Sequence, residues 1–444
     1  MKLRAEHALI AVVTIYLATA VAYAVRLPDA AGPDETEHNE YIRILRDHHR
    51  LPLLPGYAPE GLKHLEAQQA QHPPLYYVVL AVLSLPVGDL NSPTGWLTLR
   101  LISIALAAAA LVITFMAARV LWPEGWGPAA ALVMALIPQF QYMTAVLNNS
   151  TGEILTGAVY LYLVAVVLRG DSDRPRDWWL LGLTTAVALM VKVTTAWVVV
   201  GVVACVLIRR RRENHTLGWT LRRLAAGLLP ALIVMGIWCG RSMMLYSTLL
   251  PAAVTTRPLV DSGLIGCIVL PDVGIYILAQ STLNGITSFP FPFWLARPYL
   301  WHNWMIVLPF MTVVAVCVAG YIRTRRRTRR GWEDPQAWHV DVGRVGLWGF
   351  ILGILTAMMI NIEDVNTMLY GGRYMLSLLP ICGVAWAVGA MRISDRPRVR
   401  WLVIGLVFLG MLAACLYSHW WIVSFHTGAL GPAPAPTARG ASGR

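Results

Sequence analysis

The stretch Pro33-Asp34-Glu35-Thr36-Glu37-His38 directly follows the first long apolar segment of the chain and opens a polar loop. It brings four ionisable side chains into five residues, and such groups are costly at a membrane boundary unless they face water or take part in a reaction. Two interpretations are open: a solvated loop whose acidic residues cap a short helix, or part of a reactive site. The organisation of the remaining chain favours the second.

The composition is that of a polytopic membrane protein. Of the 444 residues, 57% are hydrophobic and only 14% are charged, whereas soluble domains carry about a quarter charged residues. The formal net charge is +12, but the arginine-rich runs 209–212 and 323–330 stand at the ends of apolar segments, where membrane anchoring places them. We therefore expect no nucleic-acid partner. The scattered cysteines indicate small buried apolar residues, not disulfides or metal ligands.

Helices that cross a bilayer need about 17–25 apolar residues. Plausible spans lie at about 8–25, 97–118, 126–147, 153–168, 224–243, 303–322, 344–362, 374–391 and 401–423. The segment 73–87 is short and bounded by prolines, so we expect it to lie in the outer interface without crossing. The run 178–208 has basic residues on both flanks and Lys192 near its middle. A hairpin of two short helices, with Lys192 at its outer turn, avoids a lysine at the bilayer centre.

With these assignments, all basic loops lie on one side, which the positive-inside rule makes cytoplasmic. The prediction is an all-α polytopic protein with about eleven transmembrane helices, its N-terminus inside and its C-terminus outside. A single transmembrane domain covers 1–423, and a disordered tail follows at 424–444. The outer face carries the first loop, 26–96, which contains interfacial helices, and a second large segment, 244–302.

The polar residues that cytoplasmic anchoring does not explain converge on this outer face. In addition to Asp34 and Glu35, the candidates are His38, Lys63, His72, Arg100, Asn149, Glu153, Lys192, Arg373 and Tyr374. Carboxylates beside cations suit a reaction on an anionic lipid headgroup. A carboxylate can accept a proton from an attacking hydroxyl, while lysine or arginine can hold a phosphate and stabilise its charge as it leaves.

Four motifs combine in the chain: Pro33-Asp34-Glu35 with His38, His-Pro-Pro-Leu-Tyr-Tyr at 72–77, Met-Val-Lys-Val-Thr-Thr at 190–195, and Gly-Gly-Arg-Tyr at 371–374. Together with the helix order, they resemble the GT-C glycosyltransferases. The likeness is strongest to the branch of protein O-mannosyltransferases, aminoarabinose transferases and related bacterial membrane proteins. It extends over most of the chain at the level of helix order.

This resemblance implies an inverting transfer of a sugar from a polyprenyl-phosphate donor to an acceptor hydroxyl outside the cytoplasm. It implies Asp34 as the base with Glu35 beside it. By position, Lys192 and Arg373, and further Lys63 and Arg100, would bind the lipid phosphate. The acceptor would be a protein, lipid, glycan or secondary metabolite. The strong use of arginine over lysine is typical of a GC-rich bacterial genome, and hence favours a bacterial inner membrane.

One departure from the family pattern bears on metal binding. Many relatives place an aspartate just after an asparagine in the second outer loop, where this chain has Ser150. Either Glu153, one helical turn later, replaces that aspartate, or this chain has no acidic residue at the position. We therefore predict no metal ligand and regard a bound divalent ion as doubtful. The alternative functions are a lipid-linked sugar flippase or small-molecule transporter, and a non-catalytic lipid-binding partner. Transporters tend to show repeats and midplane charges, which this sequence lacks by eye.

Overall fold

The computed structural model describes residues 2–121, 127–170, 173–249, 304–329, 341–343, 345 and 376–427. The expected span 344–362, the motif at 371–374 with Arg373 and Tyr374, most of segment 244–302 and the tail beyond 427 lie outside these residues, apart from the isolated position 345. The described residues are almost entirely helical, and their one extended pairing is an isolated bridge between Leu53 and Glu66.

The α-helices of these parts, in chain order, are α1 (Lys2–Arg26), α2 (Glu35–His48), α3 (Leu75–Leu83), α4 (Pro93–Leu121), α5 (Gly127–Ala135), α6 (Pro138–Ala145), α7 (Ser150–Arg169), α8 (Pro175–Val191), α9 (Trp197–Glu213), α10 (Leu217–Tyr246), α11 (Trp304–Arg329), α12 (Leu379–Arg392) and α13 (Pro397–His426). Short 3₁₀ helices cover Glu60–Leu65, Gln68–Gln71 and Val193–Ala196. Helix α13 continues through residues 424–426, into the stretch predicted as a disordered tail.

Six helices in the described parts are long and apolar enough to cross a membrane: Ala5–Arg26, Pro93–Leu121, Ser150–Arg169, Val193–Glu213, Leu217–Tyr246 and Pro397–Ser424. Met311–Arg323 and Leu376–Arg392 are shorter apolar helices. The chain is therefore a multi-pass helical membrane protein, and the total of about eleven crossings stays a prediction. The expected span 126–147 is divided because Pro138 holds Ile137 in an extended conformation, which separates α5 from α6.

Helices α8 and α9 form the expected hairpin. Lys192 has an extended backbone between them, with φ −161° and ψ 126°. At the turn, Lys192 contacts Ser150 at the start of α7, whereas Arg209 near the far end of α9 donates to the carbonyl oxygen of Val167 near the end of α7. Helix α9 therefore runs parallel to α7, and α8, which precedes the turn, runs in the opposite direction.

These contacts define two ends of the helix bundle. At the Glu35 end, named for that residue, the end of α1 meets the start of α4, and the loop 147–149 and the turn at Lys192 lie beside them. At the Asp173 end, Asp173 accepts hydrogen bonds from Arg223 and Trp219 of α10. The basic residues of α9 gather at this second end, as the charge pattern predicts.

The first loop builds a small layer over the Glu35 end. Helix α3 is a single nine-residue helix, about 14 Å long at 1.5 Å per residue, and too short to cross a bilayer. It packs on α2 through Tyr41, Tyr77 and Leu80, together with Leu99 of α4 and Leu147. The segment 73–87 thus contributes a covering helix, not a span.

Candidate active site

Glu35, the first residue of α2, lies at a junction of three segments and is buried at 1% exposure. Arg100 of α4 donates from Nε to Oε1 and from Nη2 to Oε2, both at 2.8 Å. The backbone N–H of Leu147 donates to Oε1 at 2.8 Å, and that of Gly32 donates to Oε2 at 2.9 Å. Four donors occupy the lone-pair positions of the two carboxylate oxygens. Glu35 therefore joins α2, α4 and the loop 147–149.

All the N–H groups of the Arg100 guanidinium also have hydrogen-bond acceptors. Its remaining N–H groups donate to the carbonyl oxygens of Ala24 at 3.0 Å, Leu27 at 2.9 Å and Pro28 at 2.7 Å. These carbonyls belong to the end of α1 and the residues after it, where a helix lacks internal partners. Because all five N–H groups of a guanidinium are then occupied, Arg100 has no donor for the lipid phosphate that the sequence assigned to it. It fixes the entry of the first loop instead.

Lys192 and Glu153 form a second buried ion pair. Lys192 Nζ lies 2.9 Å from Glu153 Oε2 and 3.0 Å from the Ser150 hydroxyl. The side chains are 4% and 0% exposed. The charge of Lys192 is therefore balanced within the protein, and the pair ties the hairpin turn to the start of α7.

Asp34 lies at the N-terminal boundary of α2 and is half-buried. Its backbone is left-handed, with φ 56°, a conformation that aspartate tolerates better than most residues. One helical turn later, His38 is buried at 2% exposure. Its Nδ1 lies 2.9 Å from the Tyr77 hydroxyl and its Nε2 lies 3.3 Å from Asn148 Nδ2. The acidic pair is therefore followed by a histidine held from α3 and from the loop 147–149.

Tyr77 is the centre of this second cluster. Its ring stacks on Tyr41 with centroids 3.9 Å apart, and its hydroxyl accepts a hydrogen bond from Asn149 Nδ2 at 3.4 Å. Burial raises the pKa of Tyr77 well above its usual range, and the nearby tyrosines and Asp34 raise it further. The carbonyl oxygen of His72 accepts from Tyr41 at 3.2 Å, and the His38 and His72 rings have centroids 6.5 Å apart.

The remaining predicted residues are placed elsewhere. Lys63 lies on a 3₁₀ helix with its side chain 57% exposed, in an ion pair with Glu60 at 2.7 Å. Arg373 and Tyr374 lie outside the described residues. The structure thus brings Asp34, Glu35, His38, His72 and Asn149 together, with the Lys192–Glu153 pair at the same end of the bundle, and leaves Lys63 at the surface.

Arg241 of α10 is a residue of this region that sequence reasoning did not select. Its Nη2 donates to the carbonyl oxygen of Pro52 at 2.9 Å, and its guanidinium lies over the ring of Trp238 at 5.2 Å. Its Nη1 is buried and has no hydrogen-bond partner among the residues described. Burial raises the pKa of Tyr41, and the positive charge of Arg241 lessens that rise. In the sequence, an arginine at a span boundary looks like one that reaches out to the headgroups.

A metal site is not evident in the parts of the chain described, since they contain no group of three His, Cys, Asp or Glu side chains that could hold an ion. The two buried glutamates of the region face cations of the protein: Glu35 faces Arg100 and Glu153 faces Lys192.

Comparison with known proteins supports the resemblance in both sequence and fold. Residues 71–238 match the family described as dolichyl-phosphate-mannose-protein mannosyltransferase. The chain superposes on ArnT from Cupriavidus metallidurans bound to undecaprenyl phosphate with a TM-score of 0.55 at 12% identity, over 94% of this chain and 76% of that one. A comparison with curated proteins finds no matching sequence.

The oligosaccharyltransferase of Archaeoglobus fulgidus, in complex with Zn and sulfate, matches with a TM-score of 0.54 at 12% identity, over 93% of this chain and 53% of that one. The same archaeal enzyme, AglB, in complex with an inhibitory peptide and a dolichol-phosphate, matches at 0.50 and 12% identity, over 94% of this chain and 55% of that one. The chain spans little more than half the length of that enzyme. Its fold is nevertheless that of the GT-C membrane glycosyltransferases, the superfamily of ArnT and AglB, and the resemblance expected from the motifs is confirmed.

Proposed function

We propose that this protein is an inverting glycosyltransferase that moves a sugar from a polyprenyl-phosphate donor to an acceptor hydroxyl at the Glu35 end of the bundle. The observation that carries the proposal is the arrangement of the acidic pair. Glu35 is saturated by Arg100 and two backbone N–H groups, while Asp34 beside it is half-buried at the edge of the same junction. Glu35 therefore holds the loop in place, and Asp34 is the carboxylate that acts as base.

The comparisons support the donor class. ArnT is bound to undecaprenyl phosphate and AglB to a dolichol-phosphate in the structures that this chain resembles. An acceptor peptide is tethered in another structure of the archaeal oligosaccharyltransferase, which matches with a TM-score of 0.51. The sugar and the acceptor of this chain are separate questions, because those proteins share only 10–13% identity with it.

The proposed step needs one base and cations. The acceptor hydroxyl gives its proton to Asp34 as its oxygen forms a bond to the anomeric carbon. The bond from that carbon to the phosphate oxygen breaks, and its electron pair leaves with the polyprenyl phosphate. Since a phosphate is a good leaving group without protonation, no acid is required. Attack on the face opposite the phosphate inverts the configuration.

We assign the phosphate contact to Arg241 among the described residues, with Arg373 as the second cation expected from the sequence. Arg241 has a buried Nη1 without a hydrogen-bond partner in the parts of the chain described, whereas Arg100 has donated every N–H. Arginine holds phosphate through charge-assisted hydrogen bonds. Lys192 is paired with Glu153, so we propose that it first of all holds the hairpin turn against α7.

We further propose that the Asp173 end faces the cytoplasm of a bacterium and that the Glu35 end faces outward. Arg209, Arg212 and Arg223 lie at the Asp173 end, where the positive-inside rule expects them. The reaction would then take place on the outer surface of the inner membrane.

The test supplies radiolabelled polyprenyl-phosphate mannose, and in parallel other polyprenyl-phosphate sugars, to purified protein in detergent with membrane extract as acceptor. Asp34→Asn removes the base and is expected to lower transfer by about 10²–10⁴-fold. Asp47→Asn is the matched control, since Asp47 lies at the far end of α2 with its side chain 43% exposed. Undiminished transfer by Asp34→Asn refutes the base. Donor crossing liposomes without any transfer favours the flippase.

A further inference from the structure

Tyr23 near the end of α1 and His419 near the end of α13 form a contact that the proposed reaction does not use. Their ring centroids lie 4.1 Å apart, and Arg26 Nη1 lies 3.4 Å from His419 Nε2. Arg26 is exposed, His419 is half-buried and Tyr23 is fully buried. These residues therefore lead from the surface into the seam between the two helices at the Glu35 end, which we call the α1–α13 seam.

The contact with Arg26 decides which nitrogen of His419 carries the hydrogen. A guanidinium only donates hydrogen bonds, so His419 Nε2 must accept. A neutral imidazole that accepts at Nε2 carries its hydrogen on Nδ1. A charged imidazolium would instead direct an N–H group against the guanidinium. His419 Nδ1 is buried and has no hydrogen-bond partner among the described residues, so it is a donor without an acceptor.

Two buried hydroxyl groups of the α1–α13 seam also lack partners. Tyr23 and Ser418, which lies beside the Tyr23 hydroxyl, are both 0% exposed. Neither hydroxyl has a hydrogen-bond partner in the described parts of the chain. With His419 Nδ1, these groups hold three hydrogens but only two acceptor oxygens, so at least one hydrogen lacks an acceptor however they are arranged. Because buried polar groups are nearly always paired, this excess of donors indicates a ligand that supplies oxygen acceptors.

The seam lies at the depth where lipid phosphates are found and offers a positive charge. Trp420 and Trp421 directly follow His419, and Trp420 is 53% exposed; tryptophans at a helix end are typical of the membrane interface. Arg26 is the last residue of α1, and its side chain contacts no carboxylate among the residues described. Arg100 already binds the backbone carbonyls at this helix end. The charge of Arg26 is therefore left for a ligand.

We propose that the α1–α13 seam binds the phosphate group of an anionic lipid in the leaflet at the Glu35 end. Arg26 supplies the charge, while His419 Nδ1–H and the Tyr23 hydroxyl donate to phosphate oxygens. Arginine binds phosphate through charge-assisted hydrogen bonds, whereas an uncharged ester carbonyl would leave its charge unbalanced. The long exposed side chain of Arg26 can turn outward to admit the phosphate and still contact it. The site is independent of the proposed reaction.

A local spectroscopic titration of the full-length chain tests the site without any transfer activity. Protein with ¹⁵N-labelled histidine is purified in a non-ionic detergent and phosphate-free buffer, and the His419 signals are assigned with His419→Gln. Before lipid is added, we expect a neutral His419 protonated at Nδ1. Dioleoyl phosphatidylglycerol should then shift the Nδ1 signal along a saturable curve. Dioleoylglycerol, which has the same acyl chains without phosphate, should leave the signal in place.

Other outcomes of this titration would overturn the proposal. A shift that does not saturate, or an equal shift with dioleoylglycerol, would mean that the seam holds acyl chains and recognises no phosphate. Inorganic phosphate is titrated in parallel, and a shift at the concentrations at which the lipid acts would assign the site to free phosphate. A His419 protonated at Nε2 in the absence of lipid would remove the donor on which the site depends. Failure of all transfer assays would count against the proposed function alone.

Matched variants test the two side chains of α1. Arg26→Gln should raise the Kd for phosphatidylglycerol by about tenfold, the effect of losing one hydrogen bond to a charged group. Arg50→Gln, at an exposed position of the first loop, should leave it unchanged. Tyr23→Phe keeps the ring against His419 and should also raise the Kd, whereas Tyr16→Phe, whose buried hydroxyl donates to Thr144 at 2.8 Å, should not. Equal Kd values in all four variants and the wild type would refute the site.

Discussion

Arg100 and Glu35 use up each other's hydrogen-bonding capacity at the point where the first loop begins. The guanidinium donates twice to the carboxylate at 2.8 Å and three times to backbone carbonyls of residues 24–28. The carboxylate accepts two further bonds from backbone N–H groups. An ion pair so completely satisfied stabilises a backbone arrangement and leaves no group for a ligand.

Glu35→Gln is expected to destabilise the protein without changing its shape. The amide leaves the buried charge of Arg100 without a counter-charge, and breaking a buried pair in this way costs about 3–5 kcal/mol. The free energy of unfolding, measured with SDS in mixed micelles, should fall by that amount. Glu37→Gln makes the same chemical change two residues along α2 at a half-buried position and should leave stability nearly unchanged. Equal stability of the two variants would contradict the structural role of Glu35.

The sequence shows where the charges lie but not which of them neutralise each other. Lys192 lies in the middle of an apolar run, where a single transmembrane helix would place its charge at the bilayer centre at a high cost in free energy. A turn at the end of the bundle avoids that cost, so the hairpin could be predicted from the sequence. The pairing of Glu35 with Arg100 joins residues 65 positions apart. It depends on how α2 and α4 pack, which no local pattern encodes. Two predicted phosphate ligands, Arg100 and Lys192, therefore proved to have carboxylate partners.

The contacts of the two tyrosines in the His-Pro-Pro-Leu-Tyr-Tyr motif likewise depend on helix packing and could not be predicted from the sequence. Adjacent helical residues point about 100° apart at 3.6 residues per turn. Tyr76 therefore turns to Ser103 and Tyr77 to His38. The sequence of the motif does not show which tyrosine contacts which partner, because the rotation of α3 decides this, and that rotation is set by packing on Tyr41 and Leu99.

The Lys192–Glu153 pair allows structural and phosphate-binding roles to be separated by a double-mutant cycle. Lys192→Met alone leaves Glu153 buried without its partner and should cost about 3–5 kcal/mol in unfolding free energy. Lys192→Met with Glu153→Gln removes both charges and should recover most of that loss. If the pair only holds the hairpin turn, transfer activity should recover together with stability. A double variant that is stable yet inactive would support the original prediction that Lys192 binds the lipid phosphate.

Arg241→Gln is expected to weaken donor binding. A hydrogen bond to a charged group contributes about 1.5–3 kcal/mol, so KM for polyprenyl-phosphate sugar should rise by roughly tenfold or more. Arg222→Gln makes the same substitution at an exposed position near the other end of α10 and should leave KM unchanged. An Arg241 variant with normal KM and reduced stability would mean that this arginine only braces the segment at Pro52.

Gly157 in the middle of α7 allows the packing beneath the site to be tested. A Cβ at this position would overlap with the backbone carbonyl group of Ser377, whose hydroxyl accepts a hydrogen bond from Trp197 Nε1 at 3.0 Å. Because backbone cannot move aside as a side-chain tip can, Gly157→Ala should destabilise the protein by about 1–3 kcal/mol. Ser377 follows closely on the predicted phosphate ligand Arg373, so transfer should fall as well.

Gly236→Ala is the matched control for this packing contact. Gly236 lies on the exposed surface of α10, and nothing lies within 4 Å of an added Cβ. The same substitution should there stabilise the helix by about 0.5–1 kcal/mol, since alanine favours a helix interior over glycine. Opposite signs for the two variants in the same unfolding assay would establish the close approach of α7 to Ser377. Two stabilised variants would show that the segment at Ser377 can move away from α7.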